Sequence, residues 1–264
     1  MPQKAKLGQN FLADQTARRR IVEALGDISD TTVVEIGPGK AAITELLAQK
    51  ARELIAVELD RDLAAGLRTR FAAYDHIRIV EQDILTVDLA ALRRDKEKLM
   101  VVGNLPYYIT SDILLHLFRY HEAISRAVVM MQREVADRVV AVPGSRDYGL
   151  LSATAQMYAR IERLMTLPPG AFSPPPQVHS SVLRLTFAPR FDELGTDAEG
   201  FITFLRKAFA QKRKTLLNNL RSAGYEAAEM TSAAGHAGVS LQARAEALSL
   251  EEMAKLYSEL AELE

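Results

Sequence analysis

The residues best suited to chemistry are four consecutive ones, Asn104-Leu105-Pro106-Tyr107. An exocyclic amine on an aromatic base is a poor nucleophile, because its lone pair is delocalised into the ring. A site that methylates such an amine must accept its N–H groups, and the Asn104 side-chain carbonyl and the Leu105 backbone carbonyl are two such acceptors. Pro106 restricts the backbone and helps to aim the Leu105 carbonyl, while Tyr107 can stack on an extruded base. The segment therefore predicts a base-amine methylation site, the alternative being an ordinary loop with an Asn-x-Pro turn signal.

A glycine-rich turn, Gly37-Pro38-Gly39, lies earlier in the chain and fits the dinucleotide pattern G-x-G-x-x-A as far as Ala42. Glycines let a backbone approach a ligand closely, and the amides that open the next helix favour an anion. Glu58 lies 21 residues beyond Gly37, where an acid accepts hydrogen bonds from ribose hydroxyls. The pattern predicts an adenosine-type cofactor without separating NAD from S-adenosylmethionine, and a plain strand–turn–helix connection remains the alternative.

Asp83 follows the next predicted strand, and its carboxylate can accept a hydrogen bond from an adenine amino group. A turn or N-cap aspartate is the competing interpretation. Since Gly37, Glu58, Asp83 and Asn104 all come directly at or after strand ends, we expect them to meet at one edge of a sheet, where α/β folds bind ligands.

Short apolar strands alternate with helical segments in the first part of the chain. The sequence predicts strands at 31–36, 54–59, 77–82, 99–104, 127–132 and 178–187, and helices at 14–25, 41–50, 62–71, 111–120 and 133–142. This alternation is typical of an α/β fold with a mostly parallel sheet and helices on both faces. Residues 152–167 fit either a helix or a strand. We therefore expect a domain at 1–190 and a small α-helical domain at 191–264.

Composition excludes several classes of protein. The 264 residues include no cysteine, which excludes disulfides, cysteine-ligated zinc and thiol nucleophiles, and the five histidines show no paired spacing. No apolar run approaches the roughly 18 residues needed to cross a bilayer, and the basic N-terminus has no apolar stretch typical of a secretory signal. We expect a soluble cytoplasmic protein, a monomer without a metal and without a membrane partner.

The charges are segregated, although the net charge is only −1. Residues 201–225 contain six cations and no acid, and Lys207, Lys214 and Arg221 recur every seven residues. On one continuous helix these side chains would form a cationic ridge opposite an apolar stripe. The stripe would comprise Phe201, Phe204, Leu205, Ala208, Phe209, Leu216 and Leu220. Such a ridge predicts binding to nucleic-acid phosphates, and the alternative is a solvated helix face.

Several segments together resemble the ribosomal RNA adenine N6-dimethyltransferases, and in particular the bacterial small-subunit type. They are GQNFL (8–12), VVEIGPG (33–39), VELD (57–60), QDIL (82–85), NLPYY (104–108), FSPPPQVHSSV (172–182), FAQKRKTLLNNL (209–220) and RAEALSLEEMAKL (244–256). The resemblance implies a Rossmann-like class I methyltransferase domain and an S-adenosylmethionine cofactor. It further implies transfer of four methyl groups to two adjacent adenosines near the 3′ end of 16S rRNA, with the immature 30S particle as partner.

The resemblance also implies roles for individual residues. The cofactor would be bound by Asn10, Leu12, Gly37, Gly39, Glu58, Asp83 and Asn104. Gly37 would lie against its methionine part, Glu58 would hold the ribose and Asp83 the adenine. Asn104 would also contact the target amine, Tyr107 would stack on the target base, and Phe172 would cover the other face of that base unless it is a plain core aromatic. The rRNA phosphates would be bound by Arg206, Lys207, Arg213 and Lys214.

One position departs from the family, which usually has glycine where this chain has Ala41. With a negative φ at this position, alanine would fit at the cost of one methyl group, and we expect activity to be retained.

Three alternative functions remain open. The large-subunit rRNA methyltransferases of macrolide resistance share QNFL, EIGPG and N-x-P-Y, although FSPPP, SSV and the C-terminal segment favour the small-subunit type. A nucleic-acid-binding relative without catalysis is disfavoured by the intact Asn104, Pro106 and Tyr107. An NAD oxidoreductase would have no use for those residues.

Overall fold

The computed structural model describes residues 10–262. Contacts divide the chain into two compact units, each with its own core. The first contains the described residues up to Ala136 together with Arg160–Phe187, and the second contains Asp137–Ala159 together with the residues from Ala188 onward. The break after Phe187 is close to the expected boundary at 190/191, whereas the sequence pattern does not predict that 137–159 belongs with the later residues.

Seven strands form one sheet in the first unit, and a short two-stranded ribbon accompanies it. The strands are β1 (Phe11–Leu12), β2 (Thr32–Ile36), β3 (Glu53–Glu58), β4 (Ile77–Glu81), β5 (Leu99–Asn104), β6 (Ile124–Gln132), β7 (Ala159–Leu167), β8 (Phe172–Ser173) and β9 (Ser180–Phe187). The sheet order is β4-β3-β2-β5-β6-β9-β7, with β4 through β6 parallel and β9 antiparallel to β6. The ribbon pairs β1 with β8.

The central strands are mostly apolar because both faces of the sheet are covered. Every residue of β2 is buried. Gly103 allows β2 and β5 to approach, since an added Cβ there would lie 2.7 Å from the carbonyl oxygen of Ile36. The predicted strands are present with shifts of a few residues, the largest being that β6 begins at Ile124 rather than at 127.

Four helices connect these strands, and a fifth crosses into the second unit. They are α1 (Gln15–Glu23), α2 (Thr44–Ala48), α3 (Arg61–Arg70), α4 (Thr110–Arg119) and α5 (Arg133–Val140). Asp14 caps α1 by accepting the backbone N–H of Ala17 at 2.9 Å. No helix in the described range is long and apolar enough to span a membrane.

The segment 152–167, which fitted both patterns, contains both structures. Helix α6 (Leu150–Tyr158) is followed immediately by β7. The periodicity is ambiguous because the window includes the end of a helix and the start of a strand.

The second unit is helical, since β7 belongs to the first unit except for its first residue, Ala159. Besides α6 it contains α7 (Phe191–Leu194), α8 (Ala198–Ala208), α9 (Leu216–Ser222), α10 (Ala227–Ala237) and α11 (Leu250–Ala261). The predicted apolar stripe is buried in its core, with Phe209 only partly buried.

The predicted continuous helix through 201–225 is wrong. Helix α8 ends at Ala208 and α9 begins only at Leu216. The side chain of Asn219, which is 2% exposed, stabilises the break by donating to the carbonyls of Ala208 at 2.8 Å and Gln211 at 3.2 Å. Thr215 then caps α9 through its hydroxyl. The cations at 207, 214 and 221 therefore do not form a ridge on one helix.

Candidate active site

An open crevice of about 820 Å³ lies at the carboxyl ends of the parallel strands. Residues at the ends of β2, β3, β4 and β5 contribute its walls, as expected for a ligand site in a sheet of this topology. The lining comprises Asn10, Phe11, Ile36, Gly37, Gly39, Val57, Glu58, Leu59, Gln82, Asp83, Ile84, Asn104, Leu105, Pro106, Tyr107, Tyr108 and Ile109.

The turn after β2 brings bare backbone to this crevice. Gly37 and Gly39 have φ of +65° and +55°, values that favour glycine. A Cβ on Gly39 would lie 2.9 Å from the ring of Phe11, and a Cβ on Gly37 would lie 3.8 Å from the backbone oxygen of Asn104. The backbone conformation therefore favours glycine at both positions, and at Gly39 the neighbouring ring leaves no room for a Cβ.

Glu58, at the end of β3, is buried and rigidly held. One carboxylate oxygen accepts the backbone N–H of Gly39 at 3.0 Å, and the other accepts that of Asp60 at 2.9 Å. Since each carboxylate oxygen can accept more than one hydrogen bond, Glu58 retains capacity for hydroxyl donors.

Asp83, beyond β4, combines the two interpretations of the sequence. One of its oxygens accepts the N–H of Leu85 at 3.0 Å and caps a short 3₁₀ turn. The residue nevertheless lines the crevice. A turn aspartate is thus also available to a ligand.

Asn104 ends β5 with its side-chain amide oriented by the backbone. Its Nδ2 donates to the carbonyl of Asn10 at 2.9 Å. Its Oδ1 is buried and has no hydrogen-bond partner among the described residues. A buried acceptor without a partner costs about 1–3 kcal/mol, and such a group at a crevice indicates a missing donor.

The next three residues are fixed by neighbouring backbone and side chains. The N–H of Leu105 donates to the Met130 carbonyl at 2.9 Å, and the Leu105 side chain is buried. The carbonyl of Pro106 accepts the Thr110 hydroxyl at 2.9 Å. Tyr107 places its phenol oxygen 2.8 Å from the hydroxyl of Ser180, and burial raises the pKa of Tyr107 while this hydrogen bond acts in the opposite direction.

Two predicted site residues do not border the crevice. Leu12 and Phe172 are paired across β1 and β8, and both side chains are buried in the core of the first unit. Phe11 borders the crevice instead of Leu12. The remainder of the predicted cofactor-binding and catalytic residues line the crevice, whereas Gly8 and Gln9 of the GQNFL segment lie outside the described residues.

Several crevice residues were missed by the sequence reasoning. Gln82 and Ile84 flank Asp83, and Tyr108 follows Tyr107, so their proximity to predicted residues is a usable signal. Ser180, which contacts Tyr107 of the crevice, gives no such signal, because the two residues lie 73 positions apart in the chain.

Glu35, in the middle of β2, is an acid within the apolar sheet. It is 2% exposed, and its Oε2 has no partner among the described residues. Burial raises the pKa of Glu35 to about 8, the negative charge of Glu58 adds to this effect, and the Thr44 hydroxyl opposes it. The carboxyl is therefore predominantly neutral at pH 7.

The predicted phosphate-binding cations lie in the second unit. Arg206 and Lys207 are in the last turn of α8, and Arg213 and Lys214 are exposed in the connection to α9. The ammonium of Lys207 lies 4.8 Å from the ring centre of Tyr225. No carboxylate in the described range pairs with Arg206, Arg213 or Lys214.

A parallel sheet with a glycine turn, two carboxylates and an Asn-Leu-Pro-Tyr segment around one crevice defines a class I methyltransferase fold. The sequence model of the family described as ribosomal RNA adenine dimethylase matches residues 2–262. The chain belongs to this family.

Individual relatives agree with the family. Ribosomal RNA small subunit methyltransferase A of Acidobacterium capsulatum is 64% identical, over 97% of this chain and 91% of that protein. The protein of the same name from Koribacter versatilis is 56% identical, over 97% and 94%.

Two solved structures are similar over nearly the whole chain. A dimethyladenosine transferase from Plasmodium falciparum has a TM-score of 0.77 at 21% identity, covering 96% of this chain and 98% of that chain. At that identity the similarity concerns the fold. The 23S rRNA methyltransferase ErmE has a TM-score of 0.71 at 26% identity, covering 96% and 100%.

The left-handed φ of 67° at Ala41 shows that the negative φ considered for this position does not occur. This conformation delays the start of the helix predicted at 41–50, since α2 begins only at Thr44. A left-handed alanine costs about 1–2 kcal/mol. Its methyl is buried beside Leu67 and Phe71, and this burial stabilises the fold by about 0.8 kcal/mol.

We expect Ala41→Gly to change the free energy of unfolding by less than about 1 kcal/mol, because relief of the left-handed strain and loss of the methyl oppose each other. Ala41 does not line the crevice, so affinity for S-adenosylmethionine should stay unchanged. Denaturant titration and calorimetry measure the two quantities. Tighter cofactor binding by the glycine variant would show that the methyl hinders the ligand.

Glu35 should make stability depend on pH. Between the ordinary value of 4.5 and about 8 the folded chain keeps a proton that the unfolded chain releases. Stability therefore falls as pH rises through this window, by at most about 1.4 kcal/mol per pH unit. Glu35→Gln, which mimics the neutral acid, should flatten the fall in urea titrations at several pH values. Glu122→Gln, at an exposed position, serves as control, and an unchanged slope in Glu35→Gln would contradict the assignment.

Proposed function

We propose that this chain uses S-adenosylmethionine to dimethylate N6 of two adjacent adenosines near the 3′ end of small-subunit rRNA. The names of the relatives at 64% and 56% identity support this substrate. The observation that carries the chemistry is the buried Oδ1 of Asn104, which lies at the crevice and has no partner among the described residues.

The residues of the crevice fit the proposed cofactor. Glu58 can accept the ribose hydroxyls and Asp83 the adenine amino group, while Gly37 and Gly39 leave backbone accessible to the methionine part. Asn10 completes this wall. Leu12 acts only indirectly, through the core beneath β1. When bound, the cofactor supplies a methyl group already activated by its sulfonium charge.

The chain's part in the reaction is to polarise and align the target amine. Asn104 Oδ1 and the Leu105 carbonyl accept its two N–H groups, which favours a pyramidal nitrogen with an available lone pair. Pro106 restricts the backbone between these acceptors and Tyr107, whose ring supports the base. No strong base is needed, because the proton can leave to water after methylation. Phe172, buried in the core, stabilises the wall rather than covering the base.

The first unit is proposed to be the methyltransferase domain, and the second unit, which includes residues 137–159 as well as those from Ala188 onward, is proposed to bind rRNA. Arg206, Lys207, Arg213 and Lys214 supply cations without carboxylate partners for phosphate contacts. The immature 30S particle is the proposed partner, and the protein is proposed to act as a cytoplasmic monomer without a metal.

The large-subunit alternative has less support. ErmE, a 23S rRNA methyltransferase, shares 26% identity with this chain, against 64% for a relative named for the small subunit. A binding factor without catalysis would have no need for an unsatisfied amide oxygen.

Incubating the protein and methyl donor with undermethylated small-subunit particles, followed by mass spectrometry of rRNA fragments, tests the function. We expect dimethyladenosine at two adjacent positions. Naked large-subunit RNA is the comparison substrate, and methylation of that RNA alone would refute the proposal.

Asn104→Ala should lower turnover by at least about 100-fold, because a preorganised acceptor at a reacting group commonly contributes that much. Cofactor binding should fall less, since Glu58 and Asp83 remain. Single-turnover methylation and calorimetry measure these effects, with thermal unfolding as the control for folding. Unchanged turnover would remove Asn104 from the mechanism.

Reversing the charges of Arg213 and Lys214 to Glu should weaken RNA binding and make its dependence on salt shallower by about two phosphate contacts. Lys96→Glu with Lys98→Glu makes the same change of net charge at exposed positions of the first unit. Filter binding across a salt series measures both pairs. Equal effects would mean that only net charge matters.

A further inference from the structure

Tyr107 is connected to the sheet twice, through its backbone, which follows β5, and through its phenol group, which contacts β9. Its backbone belongs to a single 3₁₀ turn, Tyr107–Ile109, that follows β5. Its phenol oxygen lies 2.8 Å from the hydroxyl oxygen of Ser180. A tyrosine ring on a short turn has two free torsions, and a hydrogen bond at the far end of the ring restricts both.

Ser180 is itself rigidly held. It is the first residue of β9, is 0% exposed, and is in register with Gln132 of the antiparallel partner strand β6. Directly before it, the His179 carbonyl accepts the N–H of Arg133 at 2.9 Å. The serine hydroxyl is therefore held in place by the sheet, whereas the Tyr107 ring that it contacts belongs to a residue of a turn.

The neighbouring Ser181 provides an internal comparison. It is also 0% exposed and in the same strand. Its hydroxyl lies 3.1 Å from that of Thr166 in β7, and successive strand residues point to opposite faces of a sheet. The two serines are matched in burial and strand, but only the hydroxyl of Ser180 contacts Tyr107, a residue that lines the crevice.

We propose that Ser180 is a positioning residue for methyl transfer, which acts by holding the Tyr107 ring in the plane that supports the target adenine. The proposal depends on the proposed function, because that function supplies the adenine. It assigns the phenol hydroxyl to anchoring, so Tyr107 contributes to the reaction through its ring and not as an acid or base.

Methyl-transfer kinetics test this role. Ser180→Ala should lower kcat by about tenfold, the loss expected when one hydrogen bond is removed, with little change in KM for S-adenosylmethionine. Ser180→Thr, which keeps the hydroxyl and suits a strand, should restore most of the rate. Ser181→Ala should keep the wild-type rate. The double variant Ser180→Ala with Tyr107→Phe should be no slower than Tyr107→Phe alone, because both remove the same contact.

A second measurement reports on the contact without catalysis. Because the Ser180 hydrogen bond lowers the pKa of Tyr107, Ser180→Ala should move that phenol titration to higher pH. Ultraviolet difference titration detects this shift, with Tyr107→Phe identifying the signal among the eight tyrosines. An RNA hairpin with 2-aminopurine at the target position reports stacking, and its quenching should weaken in Ser180→Ala and persist in Ser181→Ala.

The outcomes separate the two proposals. If the wild type forms no dimethyladenosine, the proposed function fails, whatever the phenol titration shows. If the wild type is active and Ser180→Ala keeps both its rate and its quenching, the positioning role is wrong. Equal losses in Ser180→Ala and Ser181→Ala, or equal loss of thermal stability without rescue by threonine, would reduce Ser180 to a core hydroxyl.

Discussion

The hydrogen bond from Asn104 Nδ2 to the Asn10 carbonyl determines what the crevice can do, because it decides which end of the amide is free. With the donor end engaged, the acceptor end is left without a partner. An amide turned the other way would present N–H groups to an amine that needs acceptors. In the proposed mechanism, the backbone oxygen of Asn10 therefore contributes to specificity by orienting this amide.

Two buried acids, Glu58 and Glu35, lie close enough for the charge of Glu58 to help raise the pKa of Glu35. Glu58 is stabilised as an acceptor by two backbone N–H groups. Glu35 has no comparable support, so burial raises its pKa to about 8 and it is mostly neutral. Keeping the Glu35 carboxyl neutral avoids a buried negative charge, which would be costly to desolvate.

Sequence reasoning predicted the parts of the fold that follow from local pattern. Strand ends marked by Gly37, Glu58, Asp83 and Asn104 meet at one crevice because parallel strands share an edge. The break after Ala208 was not predictable from periodicity, since the apolar stripe continues through it and the hydrogen bonds of Asn219 that stabilise it leave no periodic signal. The burial of Leu12 and Phe172 follows from a two-residue ribbon too short to leave a pattern. The proposed role of Ser180 was not predictable either, because it depends on a contact with Tyr107, which is distant in the chain.

The two tasks of the protein use different physics. Polarising an amine needs short, directional hydrogen bonds, and the groups that supply them are neutral carbonyls held by the sheet and the turn after β5. Binding rRNA needs charge that acts over several ångströms and is screened by salt, and the cations proposed for this task, Arg206, Lys207, Arg213 and Lys214, lie in the second unit. The net charge of −1 therefore does not reveal that the two proposed tasks use different kinds of groups in different units. Salt screens the long-range interaction much more than the short one. Raising the salt concentration should therefore weaken rRNA binding while changing the methyl-transfer step much less.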